Sequence, residues 1–182
     1  MPIFLYYLLL ISELIILLCV SIYGMALVFS TLKGAPYVPT SKKQLGRIFD
    51  VVKPKRKAFF IELGSGDGRI IRFAAKKYGV VGEGVEVNVL LNFFARFFAR
   101  REKVDKQISF ISKNIFAYDC KKADYVYLFL MPQLIIKLLP FFKKQLRKNT
   151  IIISHGFKLP GWEKKMFHTL PDKAFSTYYY KM

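Results

Sequence analysis

Only two cysteines occur in the 182 residues, Cys19 and Cys120. One lies in a long apolar run and the other far downstream, so they build no disulfide framework. Cys-x-x-Cys pairs and Cys/His clusters are also missing, which argues against a structural zinc site and for no bound metal. Acidic residues are scarce, 12 Asp and Glu against 30 Lys and Arg, giving a formal net charge of +18. That imbalance implies an acidic partner; an anionic lipid surface is the simplest candidate and nucleic acid is the rival. No internal repeat or low-complexity segment interrupts the chain, and no Lys or Arg precedes Lys33.

What fills the cation-free start is apolar. Across residues 3–29 only Ser12, Glu13, Ser21 and Gly24 fall outside the apolar group. A run of that length exceeds the roughly 20 residues that a helix needs to cross a bilayer. A cleaved signal peptide would want a basic start and a shorter core, so a retained single-pass anchor is expected. Because every cation follows the run, the positive-inside rule places the rest of the chain on the cytoplasmic side. Glu13 has two readings: a helix–helix or partner contact, or a protonated or snorkelling carboxyl.

The remainder alternates strand and helix. Residues 33–39, with two prolines and a glycine, read as an extended linker. Ser41-Lys42-Lys43-Gln44 has the form of a capping box, followed by Leu45, Ile48, Phe49 and Val52 at helical spacing. Strands are expected at 58–63, 80–87, 108–111, 125–130 and 150–154. Helices are expected at 69–78, 90–103 and 134–146, the last kinked at Pro140, and a hairpin at 164–182 with its turn at 170–173. This order signals an open, mostly parallel sheet with helices on both faces and antiparallel strands at the C-terminal end. The expected organisation is an anchor at 1–32, a linker and short helix at 33–57, and an α/β domain at 58–182. Phe93, Phe94, Phe97 and Phe98 are read as core packing, with Arg96, Arg100, Arg101 and Lys103 as the solvated face of that helix.

The chemistry concentrates between the first strand and its helix, in Ile61-Glu62-Leu63-Gly64-Ser65-Gly66-Asp67-Gly68. Glycines let the backbone approach a nucleotide, and a helix N-terminus offers free N–H groups. A dinucleotide fingerprint would want a small residue at position 69, where this chain has Arg69. Glu62 before the loop can hold a ligand's amino group, or simply pair with a nearby lysine. Glu86, near the end of the second strand, can accept both ribose hydroxyls, with Asn88 just beyond. Asn114 and Ile115, after the third strand, occupy the place of an adenine contact; Asn114 is equally a turn former. Asp67 either caps the helix or touches the ligands.

These features resemble the class I, seven-strand methyltransferases, which implies a Rossmann-like fold and S-adenosylmethionine bound by Glu62, Gly64, Ser65, Gly66, Asp67, Gly68, Glu86, Asn88, Asn114 and Ile115. Leu130-Met131-Pro132-Gln133 differs from the Asn/Asp-Pro-Pro-Tyr tetrad of enzymes acting on adenine or glutamine nitrogens. A narrower resemblance adds Pro36-Tyr37-Val38-Pro39-Thr40, Leu128-x-Leu130-x-Pro132, Ser154-His155-x-Phe157 and Pro160-Gly161-Trp162. With these the chain resembles the membrane-anchored protein-lysine methyltransferases that modify the ADP/ATP carrier and the c subunit of ATP synthase; Val89 stands where the family has proline. The resemblance implies a protein substrate with an accessible lysine and implicates Tyr37, Thr40, Asp67 and His155 in catalysis. His155 is read either as acceptor of the lysine proton or as a structural histidine. The alternatives are an RNA methyltransferase, a methyltransferase for a quinone-like lipophilic acceptor, and a non-catalytic scaffold.

Overall fold

The computed structural model describes residues 2–32 and 40–182. Its first element, α1 (Ile3–Leu32), contains a stretch, Ile3–Met25, of 23 residues that is long and apolar enough to cross a membrane. The segment 33–39, with Tyr37, lies outside the described residues. Ser41 then caps α2 (Lys42–Val52), its hydroxyl accepting from the Gln44 N–H at 3.2 Å. Leu45, Ile48 and Phe49 of α2 are buried in the main core, so this helix packs onto the sheet rather than standing off it.

Five parallel strands follow with their helices: β1 (Phe59–Leu63), α3 (Arg69–Tyr78), β2 (Val81–Glu86), α4 (Val89–Arg101), β3 (Ile108–Ser112), β4 (Tyr125–Leu128), α5 (Pro132–Gln145) and β5 (Ile151–His155). A hairpin, β6 (Met166–Leu170) and β7 (Thr177–Lys181), completes the sheet. The strand order is β3-β2-β1-β4-β5-β7-β6, with β7 antiparallel to both neighbours. The order reverses between β1 and β4, and in such sheets the crevice beyond the carboxyl ends of the strands at that reversal is where ligands bind. Helices α2, α3 and α4 share a core with Phe60, Phe110 and Tyr127 on one face of the sheet. On the other face α5 covers Ile61, Leu63 and Val126.

Local chemistry sets the ends. Gly79 closes α3 in the left-handed region at φ 69°, where a side chain would be strained. The fourth strand stops at Leu128, not at residue 130, because α5 already begins at Pro132, whose ring suits the first helical position.

The phenylalanine stripe of α4 does not face the core. Phe93 and Phe97 are 61% and 52% exposed, while Leu91, Asn92, Ala95 and Ala99 face the sheet. Small residues at 95 and 99 let the helix axis approach the strands, and Gly68 needs that closeness: a Cβ there would sit 3.2 Å from the Ala95 methyl. The arginines flank an apolar outer surface rather than forming a polar one.

Candidate cofactor site

The loop after β1 is shaped by three glycines with positive φ: Gly64 at 75°, Gly66 at 53° and Gly68 at 72°. At Gly68 a Cβ would lie 2.2 Å from the Phe110 ring, so no side chain fits. At Gly64 it would lie 2.8 Å from Leu130, which closes the loop against the end of β4.

Glu62, 3% exposed, accepts a hydrogen bond from the Ile71 N–H in the first turn of α3 at 3.0 Å. Its partner is thus a helix N-terminus and not a lysine. Burial pushes this carboxyl well above the usual range, the Ile71 N–H opposes that, and Asp67 and Glu86 add repulsion. Glu86, at the end of β2, accepts from Gly66 N–H through Oε2 at 3.1 Å and from Asn88 N–H through Oε1 at 3.0 Å. It therefore fixes the loop while each oxygen keeps a second lone pair for a ligand hydroxyl.

Asp67 is capped and paired at once. Its carboxylate accepts from the Arg69 N–H at 3.2 Å and from the guanidinium at 3.0 and 2.8 Å. Burial works to raise this group, but the Arg69 hydrogen bonds and charge hold it below the usual carboxylate range. Asn88 is the N-cap of α4, accepting from the Leu90 and Leu91 N–H groups. Asn114 is exposed and caps a short 3-10 turn, Ile115–Ala117, through the Phe116 N–H at 3.0 Å. Ile115 is half-buried against the α5 side of the core. Ser65 is buried, with its hydroxyl lacking a hydrogen-bond partner.

Sequence reasoning missed Asn92. Fully buried, it donates to the Glu86 carbonyl and the Ser112 hydroxyl, each at 2.9 Å, and so ties the ends of β2 and β3. The signal was available, since Asn92 shares a helical face with Ala95 and Ala99.

The other half of the edge is aromatic. His155, 1% exposed at the end of β5, bonds the Thr177 hydroxyl through Nδ1 at 2.8 Å. Its ring meets Phe129 edge-on at 4.7 Å and lies near Tyr127 and Phe175. Burial depresses it to about 4, against a raising influence of Asp172. Thr40 is buried, near the buried Tyr127 hydroxyl.

Glu62 and Glu86 thus sit on one edge of a strongly basic protein, with Asp67 beside them already paired to Arg69, and the charge of Glu62 is favoured once a cation meets it. A pyrophosphate would be repelled there, whereas a ligand carrying an ammonium and a sulfonium is attracted. The donor set fits S-adenosylmethionine.

Comparison with known proteins agrees. The ANTKMT methyltransferase domain model matches residues 62–166. A protein-lysine N-methyltransferase of Saccharolobus islandicus is 34% identical over 131 residues, covering 71% of this chain and 81% of that one. The human lysine N-methyltransferase of the ATP synthase c subunit is 30% identical over 127 residues, 70% of this chain and 54% of that protein. Among solved structures, an RNA methyltransferase from Salinibacter ruber in complex with S-adenosyl-L-homocysteine superposes with a TM-score of 0.75 at 30% identity, covering 79% of this chain and 93% of that one. With the glycine loop, the paired acids and the seven-stranded sheet in place, the chain belongs to the ANTKMT methyltransferase-domain family of S-adenosylmethionine-dependent protein-lysine N-methyltransferases.

Proposed function

We propose that the chain methylates a lysine of a membrane-associated protein, working from a domain held at the cytoplasmic surface of a membrane by α1. The observation that carries the substrate class is the family match, in which relatives are named for lysines of the ATP synthase c subunit and of the adenine nucleotide translocase. The apolar helix and the confinement of all cations to residues beyond it support the anchor and its orientation.

When bound, S-adenosylmethionine supplies a methyl group activated by its positive sulfur. Glu86 would hold the ribose hydroxyls. Glu62 would meet the ammonium, which favours the charged carboxylate that burial alone disfavours. Asn114 and Ile115 border the adenine end, while Gly64, Gly66 and Gly68 admit the ligand close to the backbone. Ser65, Asp67 and Asn88 shape this end by holding the loop and the two helix starts.

The acceptor must arrive as a neutral amine. A wall of Phe129 and Phe175 excludes water and lowers the amine's proton affinity, leaving its lone pair available in line with the methyl group. His155 is neutral near pH 7 and sealed by its neighbours, so it positions this wall rather than receiving the proton. Tyr37 and Thr40 belong to the segment before the loop, and Thr40 approaches the site from the Tyr127 side.

The test is incubation of the purified chain with isotopically labelled S-adenosylmethionine and total membrane extract. Label in a small protein, lost when its acceptor lysine is changed to arginine, is the expected result. The net charge of +18 and the Salinibacter structure favour RNA as the second reading. Label confined to RNA, or to the lipid extract, overturns the lysine assignment.

A further inference from the structure

The outer face of α4 is unusual for a helix covering a sheet. Val89, Phe93 and Phe97 recur at four-residue spacing and are 66%, 61% and 52% exposed. Val87, just before the helix, is also exposed. Among the described residues these four are more than half of the exposed large apolar side chains outside α1, the others being Ile136, Phe141 and Phe167. Helix α3 lies in the same layer, yet its exposed residues are Lys76 and Lys77. Cations border the α4 stripe: Arg100 and Arg101 are exposed in its last turn, with Lys103 just beyond, and Arg96 is held by the Phe110 carbonyl at 2.8 Å.

One contact beside this face fixes where the helix lies relative to α1. Tyr23, in the apolar run 3–29 and about 30 Å along the helix from Ile3, roughly one hydrocarbon thickness, meets Phe94 of α4 edge-on with ring centroids 5.2 Å apart. Tyrosine at that place in a span marks the boundary between hydrocarbon and headgroups. The contact therefore sets α4 at the level of that boundary.

We propose that α4 is a second membrane contact, lying flat in the interface. Phe93, Phe97 and Val89 enter the outer acyl region while Arg100, Arg101 and Lys103 meet anionic headgroups. The combination of an aromatic apolar face with flanking cations is that of an interfacial amphipathic helix. The inference rests on the reading of α1 as an anchor, and it adds an orientation. Helix α4 starts at Val89, three residues after Glu86, so a flat α4 brings the cofactor end of the sheet alongside the bilayer. The lysines within reach are those just outside the hydrocarbon, not those on distant domains.

The experiment uses the full chain in vesicles of equal parts phosphatidylcholine and phosphatidylglycerol with brominated acyl chains. Phe97→Trp is compared with Ile136→Trp, an exposed position on α5 across the sheet, after subtracting the emission of Trp162 from the unaltered chain. Expected are flotation of both variants and quenching of the Phe97→Trp signal alone. Flotation with no quenching of Phe97→Trp, or with equal quenching of both, overturns the α4 contact and leaves the anchor standing. Failure to float overturns both. A Phe93→Ser/Phe97→Ser variant is expected to keep its thermal midpoint, since neither ring is in the core; a large drop would mean that these rings hold the fold and not the membrane.

Discussion

At the ends of β1 and β2 the sheet edge carries Glu62, Asp67 and Glu86, whereas around the ends of β4 and β5 it carries Tyr127, Phe129, His155 and Phe175. Glu62, Asp67 and Glu86 are buried, as are Tyr127 and His155, with Phe129 and Phe175 half-buried, yet the two halves are covered by opposite means. On the first, each carboxyl accepts backbone N–H groups, so polarity is retained and aimed. On the second, rings pack against one another and the His155 imidazole is pushed toward its neutral form. Under the proposed function the difference would separate two tasks: one half to grip a cationic donor, the other to strip water from an amine that must lose its charge.

The comparison can be broken most severely at Gly68. Alanine there meets the Phe110 ring at a φ of 72°, and strain plus overpacking is expected to cost about 4 kcal/mol of stability. Thermal unfolding would show it, together with loss of cofactor binding by calorimetry. An unchanged melting curve would mean that the loop is not as tightly built as the distances say.

Acid should disturb the aromatic half next. Above pH 6.5 His155 is neutral in both folded and unfolded chains; below it the unfolded chain takes up a proton that the folded ring, at about 4, refuses. Its contribution is therefore lost as pH falls from 6.5 towards 4, reaching about 3 kcal/mol at the lower end. The slope of stability with pH across that window should flatten in His155→Asn, and an equal slope would contradict the sealed environment.

Glu86→Gln tests the polar half alone. Losing the charge, and leaving one of the Gly66 and Asn88 N–H groups without its acceptor, should weaken cofactor binding by roughly 2 kcal/mol, about thirtyfold, with a smaller drop in the thermal midpoint. Glu62→Gln is expected to act in the same direction, and it keeps an oxygen for the Ile71 N–H that alanine would abandon. The mildest and sharpest test is Phe129→Ala. Cofactor affinity should stay level while methyl transfer slows roughly tenfold through looser alignment. Equal losses in both measurements would merge the two halves into one site.

The sequence showed some of this and hid the rest for physical reasons. The order and approximate positions of the strands, the glycine loop and the placing of acids 62 and 86 at strand ends are local features, legible because the backbone geometry of such a loop admits few residue types. The capping role of Ser41 was equally local. The inward face of α4 was not legible: hydrophobicity alone points the phenylalanines inward, whereas close approach to the sheet selects Ala95 and Ala99. The environment of His155 depends on Thr177, which joins it only when β7 is inserted between β5 and β6. The turn-forming role of Asn114 is visible in its bond from the Phe116 N–H, two residues on.

That insertion of β7 also sets a timetable. The strand emerges from the ribosome after β1–β6, yet it supplies the Thr177 hydroxyl to His155 and the Tyr179 hydroxyl to the Ile48 carbonyl of α2, across 131 positions. Contacts between such distant parts of a chain form slowly. The N-terminal helix and the glycine loop are synthesised long before the strand that completes the aromatic wall. Under the proposed division of the edge, a nascent chain would thus have its donor half assembled before the acceptor half is finished, and would gain the capacity to modify a lysine only once β7 is in place.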